Sequence, residues 1–210
     1  MSNIAIRVLA ILAVLAVSFP APSAADGPQF STTERKLLAA GEVVLQELPS
    51  SRKNGFYGGS SWVIVDAPAA AVLAALIDWN SYVRVFPNTV EVRELSRKGD
   101  RSLVRMRLGH PVISVTYHLE MKRDEHKQML SFKQVSTHPS DLDDIRGYWR
   151  LFPQKDGRTL VVYVVALNVP MGIVNMVGPR FEAKTMVGIL GVPQYLKKWV
   201  EGPGRSLYQR

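Results

Sequence analysis

Apolar positions in this chain change their period along its length, and the changes divide it into elements. Val72, Leu76, Trp79, Val83 and Phe86 recur at alternating steps of four and three, the spacing that lines one face of a helix. Asp66 is placed to cap that helix and Pro68 falls in its first turn. Pro87 closes the segment, because a residue preceding proline is steered away from helical geometry. Downstream the period shortens to two. Ile113, Val115, Tyr117, Leu119 and Met121 alternate with Ser114, Thr116, His118 and Glu120, predicting a strand with one apolar and one wet face. On the same register Val104, Met106 and Leu108 point inward, and Arg105, Arg107 and His118 outward. Runs at 56–65, VEVREL, SLVRMRLG, MLSFKQV, 147–152 and 160–167 complete seven expected strands. From Met171 to Val200 the pattern turns helical again, with Gly178-Pro179 and the stretch from Gly188 to Pro193 expected to bend the helix.

A one-sided antiparallel sheet cannot bury its apolar face alone, and the C-terminal helix is the only predicted element large enough to cover it. The order of elements therefore reads as an α+β domain, a curved seven-stranded sheet around a long C-terminal helix, with two short helices after the first strand. Ahead of it, Ser31 and Glu34 match a capping box, and Leu37, Leu38, Val44, Leu45 and Leu48 give an extra N-terminal helix an apolar side, weakened in its middle by Gly41. That helix either packs on the domain or lies on a membrane surface. The expected organisation is a leader at 1–25, a linker and helix at 26–55, the main domain at 56–200 and a poorly ordered tail at 201–210.

The leader changes the reading of the charge. Arg7, the apolar run from Val8 to Phe19, and Ser23 and Ala25 ahead of Asp26 have the form of a signal peptide cleaved after Ala25, implying a periplasmic or secreted protein. The formal net charge is +8; for an exported protein such an excess is either a scattered positive surface that serves solubility or a means of meeting anionic lipid headgroups rather than nucleic acid. The aromatic residues do not interleave with basic ones as a base-stacking platform, which argues against nucleic acid directly. With no cysteine, thiol chemistry and disulfides drop out.

The stretch DAPAAAVLAALIDWNSYVRVFPNTVEVREL, the GYWRLFP strand with DGRTLVVYVV after it, and Val169-Pro170 before the last helix resemble the START-like (SRPBCC) superfamily of lipid-binding and polyketide cyclase proteins. Its fold is the helix-grip also seen in the birch pollen allergen family. The resemblance implies a cavity between sheet and helix for a lipid, sterol, hopanoid, quinone or polyketide-like molecule, and no cofactor.

Searches for reactive constellations are mostly negative. His110, His118, His126 and His138 show no metal-binding spacing, and Gly58-Gly59-Ser60-Ser61 is not a nucleophile elbow. Trp79, Tyr82, Phe86, Met106, Tyr117, Trp149, Met176 and Phe181 are the candidates to line a cavity, against the alternative of ordinary core packing. Arg180 and Lys184, one turn apart, are placed either to meet a lipid headgroup or to form a solvated face. Three readings stand: a carrier of a hydrophobic ligand, a cyclase, dehydratase or aromatase on the same fold, and a module docking to a membrane through the N-terminal helix.

Overall fold

The computed structural model describes residues 29–47, 56–109, 114–175 and 188–209. The leader at 1–25, Ile113, Met176, Arg180, Phe181 and Lys184 lie outside the described residues.

The main sheet has eight antiparallel strands: β1 Val44–Glu47, β2 Phe56–Val65, β3 Thr89–Lys98, β4 Arg101–Gly109, β5 Ser114–Asp124, β6 Met129–Gln134, β7 Asp144–Pro153 and β8 Thr159–Asn168. Their spatial order is β1-β2-β8-β7-β6-β5-β4-β3. All seven expected strands are present. The eighth, β1, comes from the segment read as the second half of the N-terminal helix. That helix, α1 (Thr32–Ala39), opens on the Ser31–Glu34 capping box. It stops at Gly41, whose φ of +78° suits a residue without Cβ. The N–H groups of Gly41 and Glu42 donate to the carbonyls of Leu38 and Leu37, a Schellman ending. Gly41 thus ends the helix rather than weakening it, and Val44 starts a strand paired to Trp62.

Between β2 and β3 lie α2 (Ala69–Ile77), a short 3-10 turn (Trp79–Ser81) and α3 (Tyr82–Val85). The residue flanking α2 is Pro68, not Asp66, and it makes no side-chain cap. The Asp66 N–H instead donates to Glu201 at 2.6 Å. The expected stripe is kept at Val72, Leu76, Trp79 and Phe86, all buried, and is broken at Val83. Asp78 leaves helical geometry with ψ of 79°, which resets the helical phase. Tyr82 and Val85 consequently turn inward beside Phe86, and Val83 stands 48% exposed.

The C-terminal segment is helical at 171–175 and 188–190, and after Gly191 continues as α4 (Val192–Glu201). The break falls within the stretch expected to bend. Pro193, Leu196 and Val200 bury one side of α4, and two polar contacts fasten it to the sheet. The Lys197 ammonium donates to the Ile64 carbonyl at 2.8 Å and pairs with Glu201 at 2.6 Å, the same carboxylate that holds Asp66.

Two apolar layers result. On the concave side Val63, Val65, Val104, Leu130, Val161 and Val165 of the sheet enclose Val72 and Leu76 of α2 and Leu196 and Val200 of α4. On the convex side Leu38, Val44, Trp62, Leu160 and Val162 form a smaller layer, with Phe30 edge-on to Trp62 at 5.8 Å. Of the apolar residues of α1, Leu38 is buried against the sheet while Leu37 stays 41% exposed.

The last residues also depart from expectation. Instead of a loose tail, α5 (Arg205–Tyr208) folds back on the domain. The Tyr208 hydroxyl donates to Asp78 at 2.7 Å and accepts from the Trp199 indole at 3.3 Å, while Arg84 stacks its guanidinium over Trp199. This latch ties α4 to the turn after α2. Tyr208→Phe, which removes only the hydroxyl, is expected to cost about 1 kcal/mol in urea unfolding. Burial alone would raise the Asp78 pKa, but hydrogen bonds from Ser81 and Tyr208 and from the Ser81 and Asn80 N–H groups outweigh it and hold it below the usual value. A depressed carboxyl contributes stability above its unfolded pKa of about 3.9 and loses it as pH falls toward the folded value. Asp78→Asn should therefore destabilise at neutral pH and flatten the loss of stability below about pH 4.

Candidate functional site

The concave interior gathers most of the aromatic residues singled out in the sequence. Trp79 and Tyr82 meet edge-on at 5.3 Å, and Tyr82 and Phe86 at 4.7 Å. Trp79 opens the 3-10 turn, Tyr82 turns inward with the phase reset at Asp78, and Phe86 lies where the apolar stripe places it. On the sheet, β4 pairs Met106 with Tyr117 of β5, placing both on the concave face. Trp149 of β7 pairs with Tyr163 of β8, and their rings lie 4.3 Å apart. Six of the eight cavity-lining candidates thus share one interior: Trp79, Tyr82, Phe86, Met106, Tyr117 and Trp149 are all buried in it. The other two, Met176 and Phe181, fall outside the described residues, as do Arg180 and Lys184.

Two residues of this interior escaped sequence reading. Tyr163 lies tilted against Trp149 and stacks at 6.1 Å on Phe132. Ser61 of β2 is the register partner of Tyr163, is fully buried, and its hydroxyl has no hydrogen-bond partner. Tyr163 was hidden because β8 is buried on both faces from Thr159 to Tyr163, so its sequence shows no alternation. A hydroxyl in an otherwise aliphatic strand is the signal that remained.

The polar chemistry of the interior is that of neutral hydroxyls. Burial raises the pKa of Tyr82, Tyr117 and Tyr163 well above the usual phenol range, and for Tyr82 the neighbouring Tyr163 and Tyr117 add to the effect. All three are uncharged donors at any physiological pH. Tyr82 spends its proton on the Leu76 carbonyl at 2.6 Å. Among the described residues the buried polar side chains are Ser61, Ser81, Thr89, His118 and Thr159, with no Asp, Glu, Lys or Arg.

His118 corrects another expectation. Its side chain does point to the convex side, but it is buried there rather than wet, because the loop after β6 folds over it. Its ring meets the Pro139 carbonyl at 2.9 Å and the His138 ring at 4.9 Å. Arg105 and Arg107 also face outward and bracket Glu91, Arg105 at 2.7 Å. A cleft of about 320 Å³ is lined by Ile77, Asp78, Trp79, Asn80, Val92, Arg93, Glu94 and Arg97. Trp79 is the wall shared between this cleft and the interior.

This architecture is the helix-grip fold, a curved antiparallel sheet with a C-terminal helix across its concave face. A family model described as polyketide cyclase / dehydrase and lipid transport matches residues 65–185. The chain belongs to that family. Among solved structures, the Zhui aromatase/cyclase from a Streptomyces species aligns over 71% of this chain and 98% of its own, with a TM-score of 0.55 and 21% identity. A STAR-related lipid transfer protein from Xanthomonas axonopodis covers 75% of this chain and 99% of its own, at a TM-score of 0.53 and 13% identity. A START superfamily protein from Mycobacterium smegmatis covers 70% and 97%, at 0.54 and 18%. At these identities the likeness shows the fold. A comparison with curated protein sequences returned no match.

Proposed function

We propose that this protein binds a hydrophobic small molecule between the concave face of the sheet and the C-terminal segment, and carries it without altering it. The observation that bears most weight is the polar content of the interior. A catalyst of cyclisation or dehydration needs a group that gains or loses a proton near neutral pH. The interior described here offers phenols pushed away from that range and hydroxyls without a base beside them. A carrier needs only apolar burial, about 0.8 kcal/mol for each methylene withdrawn from water.

The family includes cyclases as well as lipid-transport proteins, so the experiment separates the two activities. Purified protein is incubated with vesicles of mixed bacterial lipids, the vesicles are sedimented, and the supernatant is analysed by mass spectrometry. A carrier leaves one lipid per protein in the supernatant, unchanged in mass. Recovery of a species changed in mass identifies an enzyme and overturns the carrier reading. Export is part of the proposal: the apolar run after Arg7 and the small residues before Asp26 support a leader removed after Ala25. N-terminal sequencing of protein from the periplasm or culture medium should begin at Asp26.

A further inference from the structure

The convex face carries charge in a pattern that a sheet does not adopt for its own stability. Over β1, β2 and β8 that face holds the apolar layer around Leu38 and Trp62. Over β3 to β7 the register places nine Lys and Arg on it against four Asp and Glu, so much of the chain's basic excess is gathered on one surface rather than scattered. Lys98 of β3, Arg101 of β4 and Lys122 of β5 stand in one cross-strand row. Arg93 faces Arg105, and Lys133 faces Arg146. Like charges directly opposite one another destabilise a sheet. The carboxylates nearby relieve this only in part. Glu91 is shared between Arg105 and Arg107, and Glu120 between Arg101 and Lys133. Asp100 stands 3.9 Å from Lys122, and Asp144 3.3 Å from Arg146.

We propose that this surface docks the protein on a bilayer of anionic lipid, with β3 at the line of contact. β3 is an edge of the sheet, and its pairing with β4 skips one residue at each of two irregularities, Val90 and Leu95. These two are 46% and 41% exposed. A bulge re-aims its extra side chain, so the edge sets two apolar residues beside the basic rows. Basic groups for the phosphates and apolar side chains for the layer beneath them make a peripheral membrane surface. Bulges and charge on an edge also block strand pairing, but Arg101, Lys122 and Lys133 lie on strands paired on both sides, where no edge needs protection. An acidic protein fits this face less well. Protein interfaces are anchored by buried aromatic residues with charge at the rim, whereas among the described residues the large exposed apolar side chains of β3 to β7 are Val90 and Leu95. The surface lies on the opposite side of the sheet from the interior and does not depend on what the interior holds.

Sedimentation of the full mature protein with vesicles tests the docking, one set of equimolar phosphatidylglycerol and phosphatidylcholine, the other of phosphatidylcholine alone. Binding to the anionic set should be at least about tenfold tighter and should weaken as salt rises. Each basic residue near such a surface is worth about fivefold. Lys98→Gln, Arg101→Gln and Lys122→Gln together, which remove one row, should therefore cost at least about tenfold on anionic vesicles. Arg93→Gln with Lys133→Gln, taken from other rows, should cost about tenfold as well. The control removes the same charge elsewhere, by Lys36→Gln on α1, Lys155→Gln in the turn before β8 and Arg205→Gln on α5, all exposed. It should stay within about threefold of the parent. Leu95→Ser should weaken binding while leaving its salt dependence unchanged. Circular dichroism confirms that each variant is folded. Equal binding to the two vesicle sets, equal losses in the row and control variants, or row variants that bind like the parent overturn the docking. So does binding to polyglutamate in place of anionic vesicles, which would assign the face to an acidic protein. Docked protein is read in the pellet and carried lipid in the supernatant, so either result can fail without the other.

Discussion

Gly147→Ala is expected to lower unfolding stability by about 3 kcal/mol, near the top of the range for added volume in a packed core. Gly147 lies in β7 opposite Phe132 of β6 and Val165 of β8. A Cβ there would overlap the Val164 carbonyl oxygen and stand 2.6 Å from Phe132 Cζ. The first of these contacts is backbone and cannot rotate away, so the ladder between β7 and β8 has to shift. That shift propagates to Trp149 and Tyr163, two residues along the same strands, and should disturb ligand binding along with stability. Urea unfolding followed by tryptophan fluorescence measures the first effect. A change of under about 1 kcal/mol would show that this part of the sheet adjusts more freely than its geometry implies.

Leu196→Ala should cost a comparable amount, about 2 to 5 kcal/mol, by a different route. Leu196 is 1% exposed and sits in the middle of the buried side of α4, between Pro193 and Val200. Truncation leaves a void that α4 cannot close by moving, because Lys197 and Glu201 pin it to the end of β2. The informative control is Val83→Ala. The apolar spacing alone would place Val83 in the same core, but it is 48% exposed, so its truncation should change stability by less than about 0.5 kcal/mol. Equal losses at Leu196 and Val83 would mean that the phase reset at Asp78 is wrong.

These two helical sites show where sequence patterning succeeds and where it fails. Strands with one wet face declared themselves by alternation, as from Ser114 to Met121, and the capping box at Ser31 marked the start of α1. The end of α1 was hidden because Val44, Leu45 and Leu48 fit a helical face as well as a strand, and only the left-handed conformation of Gly41 decides between them. The stripe from Val72 to Phe86 is continuous in sequence but broken at Val83 in space, since one non-helical residue, Asp78, changes the helical phase after it. His118 obeyed its alternation and was still buried, because a loop remote in sequence covers it. The aromatic part of the interior was legible from residue type, whereas Ser61 and Tyr163 were not: their significance lies in being adjacent across two strands separated by about a hundred residues. The latch at Tyr208 is likewise a contact between sequence-distant residues, joining Asp78 and Ser81 to the chain end.

The central claim is that the interior binds a hydrophobic molecule and carries it unaltered. Native mass spectrometry of the protein isolated from its own compartment, followed by release and identification of whatever travels with it, tests the claim most directly. The account predicts one hydrophobic molecule per chain, released on unfolding with the mass it had in the membrane. A folded protein that carries nothing and takes up no hydrophobic molecule from vesicles, or one that returns the molecule altered in mass, would contradict it.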